Sequence, residues 1–172
     1  TLRYVSRGGL KLERALDAFE LDVSGLDCVD IGASTGGFTD CLLQRGAKKV
    51  VCIDVGEDQL HKTLRDDERV ISYEKVNARY LDESMFGEKF DIIVTDVSFI
   101  SQSLIYESVS KVINPEGVFI SLIKPQFEVG KKNIGKNGIV KNEKAVEEAI
   151  SFLKTESLRF GLQIENIVPS PI

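Results

Sequence analysis

The sequence has no apolar run approaching the ~20 residues that a membrane-spanning helix needs, and no signal-peptide pattern at its N-terminus. A membrane role is therefore not expected, and the cytoplasm is the default location. Histidine occurs once, at His61 in a charged segment, so a His-based triad or a His-rich metal cluster is hard to build. Cysteine occurs three times, at Cys28, Cys41 and Cys52, with no C-x-x-C spacing. These are expected as small buried residues in place of a disulfide or metal site. An excess of positive charge is also missing: 22 Lys and Arg against 27 Asp and Glu leave −5, which argues against wrapping nucleic acid with the whole surface. No internal repeat, low-complexity segment or second domain is apparent in the 172 residues. A length of that order builds one domain with a sheet covered by helices on both faces.

The stretch on which the rest depends is Val29 to Asp40, V-D-I-G-A-S-T-G-G-F-T-D. An apolar run containing Asp30 ends at Gly32, passes through Ala33, Ser34, Thr35, Gly36 and Gly37, and opens into Phe38 and Thr39. This is a strand, a Gly-rich loop and a helix N-terminus, the place where an open parallel sheet receives a nucleotide-like cofactor. Two cofactors compete for it. A dinucleotide fingerprint wants Gly where Ser34 stands, so that fit is imperfect. S-adenosylmethionine has no phosphate; its methionine end lies against such a loop, and an acidic residue after the next strand takes its ribose hydroxyls. Val50 to Ile53 ends in Asp54 followed by Val55, about twenty residues beyond the loop, as either cofactor requires.

Along the chain, residues 1–8 read as linker, and Leu12, Ala15, Leu16 and Phe19 place an apolar stripe on a helix from about Leu10 to Glu20 with Lys11 beside it. Strands are expected at 27–32, 49–54, 69–73, 90–96, 118–123 and 162–168. Helices are expected at 37–44, 58–65, 101–112 and around Val146 to Leu153, with Asn114-Pro115-Glu116-Gly117 as a turn. Asn77 follows the third strand where an adenine contact is expected. Alternation of strands and helices gives a doubly wound, Rossmann-like α/β fold.

Asp54, Asp96 and Lys124 each close a buried apolar run, and together they suggest an acid and a base facing one cavity. Charge is also uneven. Lys124 to Lys144 holds six Lys against Glu128 and Glu143, a local +4, and the first fourteen residues hold Arg3, Arg7, Lys11 and Arg14 against Glu13. Two basic segments beside a cofactor site suit a polyanion.

The segments S-R-G-G-L-K-L (Ser6 to Leu12), D-I-G-A-S-T-G-G-F-T-D, D-V-G at Asp54, D-V-S-F-I-S at Asp96, K-P-Q-F-E at Lys124 and G-K-N-G-I-V (Gly135 to Val140) resemble the TlyA, or hemolysin A, family of FtsJ-like ribosomal RNA 2′-O-methyltransferases. The resemblance runs along most of the chain in order. It implies an S-adenosylmethionine-dependent methyltransferase fold whose last strand is absent from these residues. Residues 1–8 would be the remnant of a linker from an N-terminal RNA-binding domain. It also implies a Lys-Asp-Lys-Glu tetrad, of which Lys11, Asp96 and Lys124 match; no residue here matches the Glu. The implied cofactor contacts are Asp30, Gly32, Ala33, Ser34, Gly36, Gly37, Phe38, Asp54, Val55, Asn77 and Asp96. Lys124 would act as base, which needs its ammonium disfavoured from the ordinary pKa of about 10.4. Asp96 would orient that lysine, and Lys11 would position the hydroxyl or adjacent phosphate. Arg7, Lys131, Lys132 and Lys136 would contact ribosomal RNA, alone or in a ribosomal subunit. No metal enters this scheme.

Three alternatives compete. An inactive cofactor- and RNA-binding module would lack the tetrad Glu. Membrane lysis, suggested by the family label, finds no span, cationic amphipathic helix or secretion signal in the sequence. A nicotinamide-dependent dehydrogenase leaves Lys11 and Lys124 without a role.

Overall fold

The structure, a computed structural model, describes residues 3–96, 102–122, 143–165 and 167. Its elements in chain order are α1 (Gly8–Ala18), β1 (Asp27–Ile31), α2 (Gly37–Gln44), β2 (Lys49–Ile53), α3 (Lys62–Arg65), β3 (Val70–Tyr73), β4 (Phe90–Thr95), α4 (Tyr106–Val112), β5 (Ile113–Ser121) and α5 (Glu143–Arg159). Single 3₁₀ turns occupy Ala78–Tyr80, Glu83–Met85 and Gln102–Leu104. Among the described residues the five strands form one parallel sheet in the order β3-β2-β1-β4-β5.

β1 and β2 read as continuous apolar runs because a parallel sheet is buried on both faces. The strand period of two divides their side chains between two cores. Cys28, Val50 and Cys52 join Leu12, Leu16, Cys41 and Leu42 on the side of α1 and α2, whereas Val29, Ile31, Val51 and Ile53 join Ile105, Val109 and Val112 on the side of α4. Asp30 therefore points, with Cys28, toward α2. All three cysteines are free and buried, and burial pushes the Cys28 and Cys52 thiols up to about 12 and Cys41 up to about 11. His61 caps α3, its Nδ1 accepting from the amide of Thr63 at 3.2 Å.

Residues 3–5, in the segment expected to be the remnant of a linker, pack against the domain: Tyr4 is buried, the Val5 amide donates to Asp40 Oδ2 at 2.8 Å, and Gln44 Nε2 donates to the Arg3 carbonyl. Three expectations change. α1 begins at Gly8, two residues early, because Gly9 permits a close approach of Tyr4 that a Cβ there would block. Asn114-Pro115-Glu116-Gly117 lies within β5 as an irregularity of the ladder, with Phe90 opposite Ile113 but Ile92 opposite Val118; Asn114 Nδ2 donates to Asp91 Oδ1 at 2.9 Å. Residues 162–165 carry no strand, and Leu162 packs onto the α4-side core.

Candidate active site

The site begins where β1 stops. The amides of Gly32 and Ala33 both donate to the Ile53 carbonyl, so the loop stays in register with β2 beyond the ladder. Ser34 has φ +51, the left-handed backbone that the glycine of a dinucleotide loop would adopt at no cost. Its amide donates to Asp54 Oδ2 at 2.6 Å, which holds that conformation in place. Gly36, with φ +103, caps α2, and a Cβ there would collide with Leu60 and Leu64 beneath the loop. The Thr35 carbonyl accepts from the His61 amide at 2.9 Å. Backbone contacts from two neighbouring segments thus fix the turn.

Under the loop lies a buried polar lock. Asp30, 2% exposed, accepts at Oδ2 from both the amide of Thr39 (3.1 Å) and its hydroxyl (2.8 Å). The Thr39 oxygen also lies 3.1 Å from Cys52 Sγ. Burial pushes the Asp30 carboxyl up to about 7; the two bonds from Thr39 pull against that shift, and the nearby charges of Asp96 and Asp54 add to it.

α1 brings a lysine to this loop. A Cβ on Gly37 would sit 2.9 Å from the Gly9 amide nitrogen, so the N-terminal turns of α1 and α2 approach as closely as glycine allows. The resulting junction closes a cavity of about 240 Å³, walled by Lys11, Asp30, Gly32, Ala33, Ser34, Gly37, Phe38 and Asp96, with Ser6, Gly8 and Thr35 completing it. Lys11 and Asp96, 85 positions apart in sequence, both line the cavity beside the glycine loop.

The other expected contacts lie on an adjoining ridge. Asp54 accepts from Gly56 at Oδ1 (2.9 Å) as well as from Ser34, Val55 is 71% exposed, and Asn77 caps the following 3₁₀ turn by accepting from the Arg79 amide. The Val76 amide donates to the Asp54 carbonyl, which brings Asn77 alongside Asp54. Gly36 supports the loop from below and Arg7 is the N-cap of α1. Lys124, Lys131, Lys132 and Lys136 lie outside the described residues. Ser6, Gly8, Thr35 and Thr39 were not among the residues expected in the site. The S-R-G-G segment signals the first two, but the Thr39 lock depends on a pairing nine residues apart that only the strand-to-helix turn creates.

A nucleoside cofactor fits these features. An ionised carboxylate offers about four acceptor positions, and two amides occupy only part of Asp54. An aligned acceptor therefore remains on an exposed ridge, while the small-residue loop leaves room for the other end of an elongated ligand. Sheet order and loop together define the doubly wound class that binds nucleotide-like ligands at the carboxyl ends of its strands. Within that class, the chain belongs to the FtsJ-like methyltransferase family, whose model matches residues 4–172. It is 43% identical over 172 residues to Hemolysin A of Brachyspira hyodysenteriae, covering 99% of this chain and 72% of that protein. It is 40% identical over 169 residues to the 16S/23S rRNA (cytidine-2′-O)-methyltransferase TlyA of Mycobacterium tuberculosis, covering 98% of this chain and 63% of that one. A solved structure of a candidate hemolysin from Streptococcus thermophilus has a TM-score of 0.95 at 45% identity, covering all of this chain and 62% of its own. The chain thus spans less than two thirds of the mycobacterial and streptococcal proteins. A solved S-adenosylmethionine-dependent methyltransferase from Mesorhizobium loti, at 19% identity and a TM-score of 0.66, and an Aeropyrum pernix fibrillarin with natively bound S-adenosylmethionine, at 16% and 0.66, share the fold. Among the described residues, no helix is long and apolar enough to cross a membrane.

Proposed function

We propose that this chain is the catalytic part of an S-adenosylmethionine-dependent methyltransferase that modifies a ribose 2′-hydroxyl of ribosomal RNA. The observation that carries the reading is that Lys11 and Asp96 line one cavity with the Gly32 to Ser34 loop. Dehydrogenation gives that lysine nothing to do, and a direct biochemical parallel is the mycobacterial relative named for cytidine-2′-O methylation.

When bound, S-adenosylmethionine supplies a methyl group activated by its sulfonium. The loop residues Gly32, Ala33 and Ser34, with Asp30, Gly37 and Phe38, hold the amino-acid end. Asp54, fixed by the Ser34 and Gly56 amides, accepts the ribose hydroxyls. Val55 and Asn77 flank the base. Lys11 orients the RNA hydroxyl or its adjacent phosphate, Asp96 orients Lys124, and Lys124 takes the hydroxyl proton. Holding the hydroxyl in line contributes the larger share, since orientation alone is worth ~7–11 kcal/mol in favourable cases. Arg7, Lys131, Lys132 and Lys136 bind RNA phosphates.

The test is transfer of labelled methyl to ribosomal RNA, followed by alkaline hydrolysis, which leaves a 2′-O-methylated linkage uncut. Lys11→Ala, Asp96→Asn and Lys124→Ala, made in the full-length protein, should each lower turnover on the order of a hundredfold or more, as loss of a positioned proton-transfer group does. Label on a base, or full turnover in all three variants, overturns the reading. Calorimetric titration with S-adenosylmethionine and with NAD separates the two cofactors directly.

A further inference from the structure

The wall of the 240 Å³ cavity contains one carboxylate whose geometry is set by a residue outside the cavity. Asp30 lines it, while Thr39, fully buried behind it, directs both its amide and its hydroxyl to Asp30 Oδ2, with Cys52 Sγ also 3.1 Å from the hydroxyl oxygen. The second oxygen of the carboxylate is left for the cavity. Thr39 sits in the first turn of α2, where amides have no partner within the helix, so its N–H and O–H are free to converge on one acceptor. Such bonds to an ionised group are among the strongest that neutral donors make.

We infer that Thr39 is a positioning residue which locks Asp30 in its ionised form, with the free oxygen turned toward the cationic amino end of the cofactor. The inference rests on the S-adenosylmethionine reading above for its ligand, but the lock itself is a property of the ligand-free chain. The charged and titratable groups around Asp30 are Lys11 from α1, Cys52 from β2, Asp54 beyond β2 and Asp96 beyond β4. Burial and the two aspartates oppose ionisation, and the two bonds from Thr39 favour it. Without the hydroxyl of Thr39, the balance moves toward the protonated carboxyl, which cannot pair with an ammonium group.

Thr39→Val keeps shape and removes the hydroxyl; Thr39→Ser restores it. The carboxyl carbon of Asp30, followed by NMR in the ligand-free protein, should titrate near neutral pH in the wild type, higher in Thr39→Val and as wild type in Thr39→Ser. Calorimetry with S-adenosylmethionine should show affinity falling in the wild type as pH drops through the same range. Thr39→Val should bind on the order of tenfold more weakly at pH 7.5, where one charge-assisted hydrogen bond sets the protonation balance. Raising the pH should recover much of that loss. An Asp30 titration unchanged by Thr39→Val overturns the lock, as does equal affinity with an unchanged pH profile. If the wild type binds no S-adenosylmethionine at any pH while the NMR titration still shifts, the cofactor reading fails and the lock stands.

Discussion

At the scale of single residues, the site contains a group held against its own preference. Asp30 is buried, and its carboxyl is pushed up to about 7, from an ordinary value near 4 in an unfolded chain. The sign follows: an acid whose folded pKa is raised favours folding fully below the unfolded value, and that contribution is lost as pH rises through the folded one. Wild-type stability should therefore fall between about pH 4 and pH 7 on account of this residue. Asp30→Asn, which keeps an oxygen for Thr39 and carries no charge, should be the more stable protein at pH 8, by on the order of 4 kcal/mol, and the gap should close by pH 4. Denaturant unfolding at the two pH values measures this, and a variant less stable at pH 8 would contradict it. The chain thus keeps a destabilising charge at the proposed cofactor site, as functional sites do. In sequence, Asp30 stands out as a charged residue within an apolar run. Its partner Thr39 does not, because nothing in a linear pattern joins a strand residue to a helix residue across a loop.

At the scale of elements, α1 precedes the sheet and yet places Lys11 on the cavity wall, so under the proposed function its seating on α2 bears on turnover. The seat is made by glycines, and a Cβ on Gly9 would overlap the ring of Tyr4, which is buried and cannot swing away without exposing itself. Gly9→Ala should lower stability by about 1–3 kcal/mol through overpacking. Because Gly9 is not on the cavity wall, cofactor affinity should be kept while turnover falls with the displacement of Lys11. Melting temperature, calorimetry and the methyl-transfer assay separate these effects; turnover retained with lowered stability would detach α1 from the chemistry. The elements most legible in sequence were β1, α2, β2 and β4, whose runs are bounded by abrupt changes from buried to loop residues. The helix start at Gly8 escaped because glycine disfavours a helix interior, and here packing decides. The Asn114 to Gly117 segment reads as a turn but is absorbed as an irregularity in β5. The alternation at 162–165 is satisfied by packing of Leu162 onto the core, and alternation alone does not specify a neighbouring strand.

At the scale of the whole molecule, charge is divided. The protein carries −5 overall, yet 124–144 carries six lysines against two glutamates. RNA affinity should consequently be strongly salt-dependent, weakening roughly fiftyfold between 50 and 200 mM salt for the four phosphate contacts proposed for Arg7, Lys131, Lys132 and Lys136. Replacing Lys131, Lys132 and Lys136 together by Ala should flatten the log–log slope by about 2. A flat response in the unaltered protein would remove the phosphate contacts from the scheme. The location of this charge was legible from composition by segment.

The strand order carries a further consequence for how the protein is made. β1 lies at the centre of the sheet, paired with β2 on one side and with β4 on the other, and β4 follows β2 by 37 residues from Ile53 to Phe90. A chain emerging from the ribosome completes the half that contains the loop, Asp54 and Lys11 while the other edge of β1 is still bare. Asp96 arrives only with β4, at the moment that edge is covered. In order of synthesis the glycine loop is thus complete before Asp96 exists, and the methyl transfer proposed for this site would wait for the central strand to gain its second neighbour.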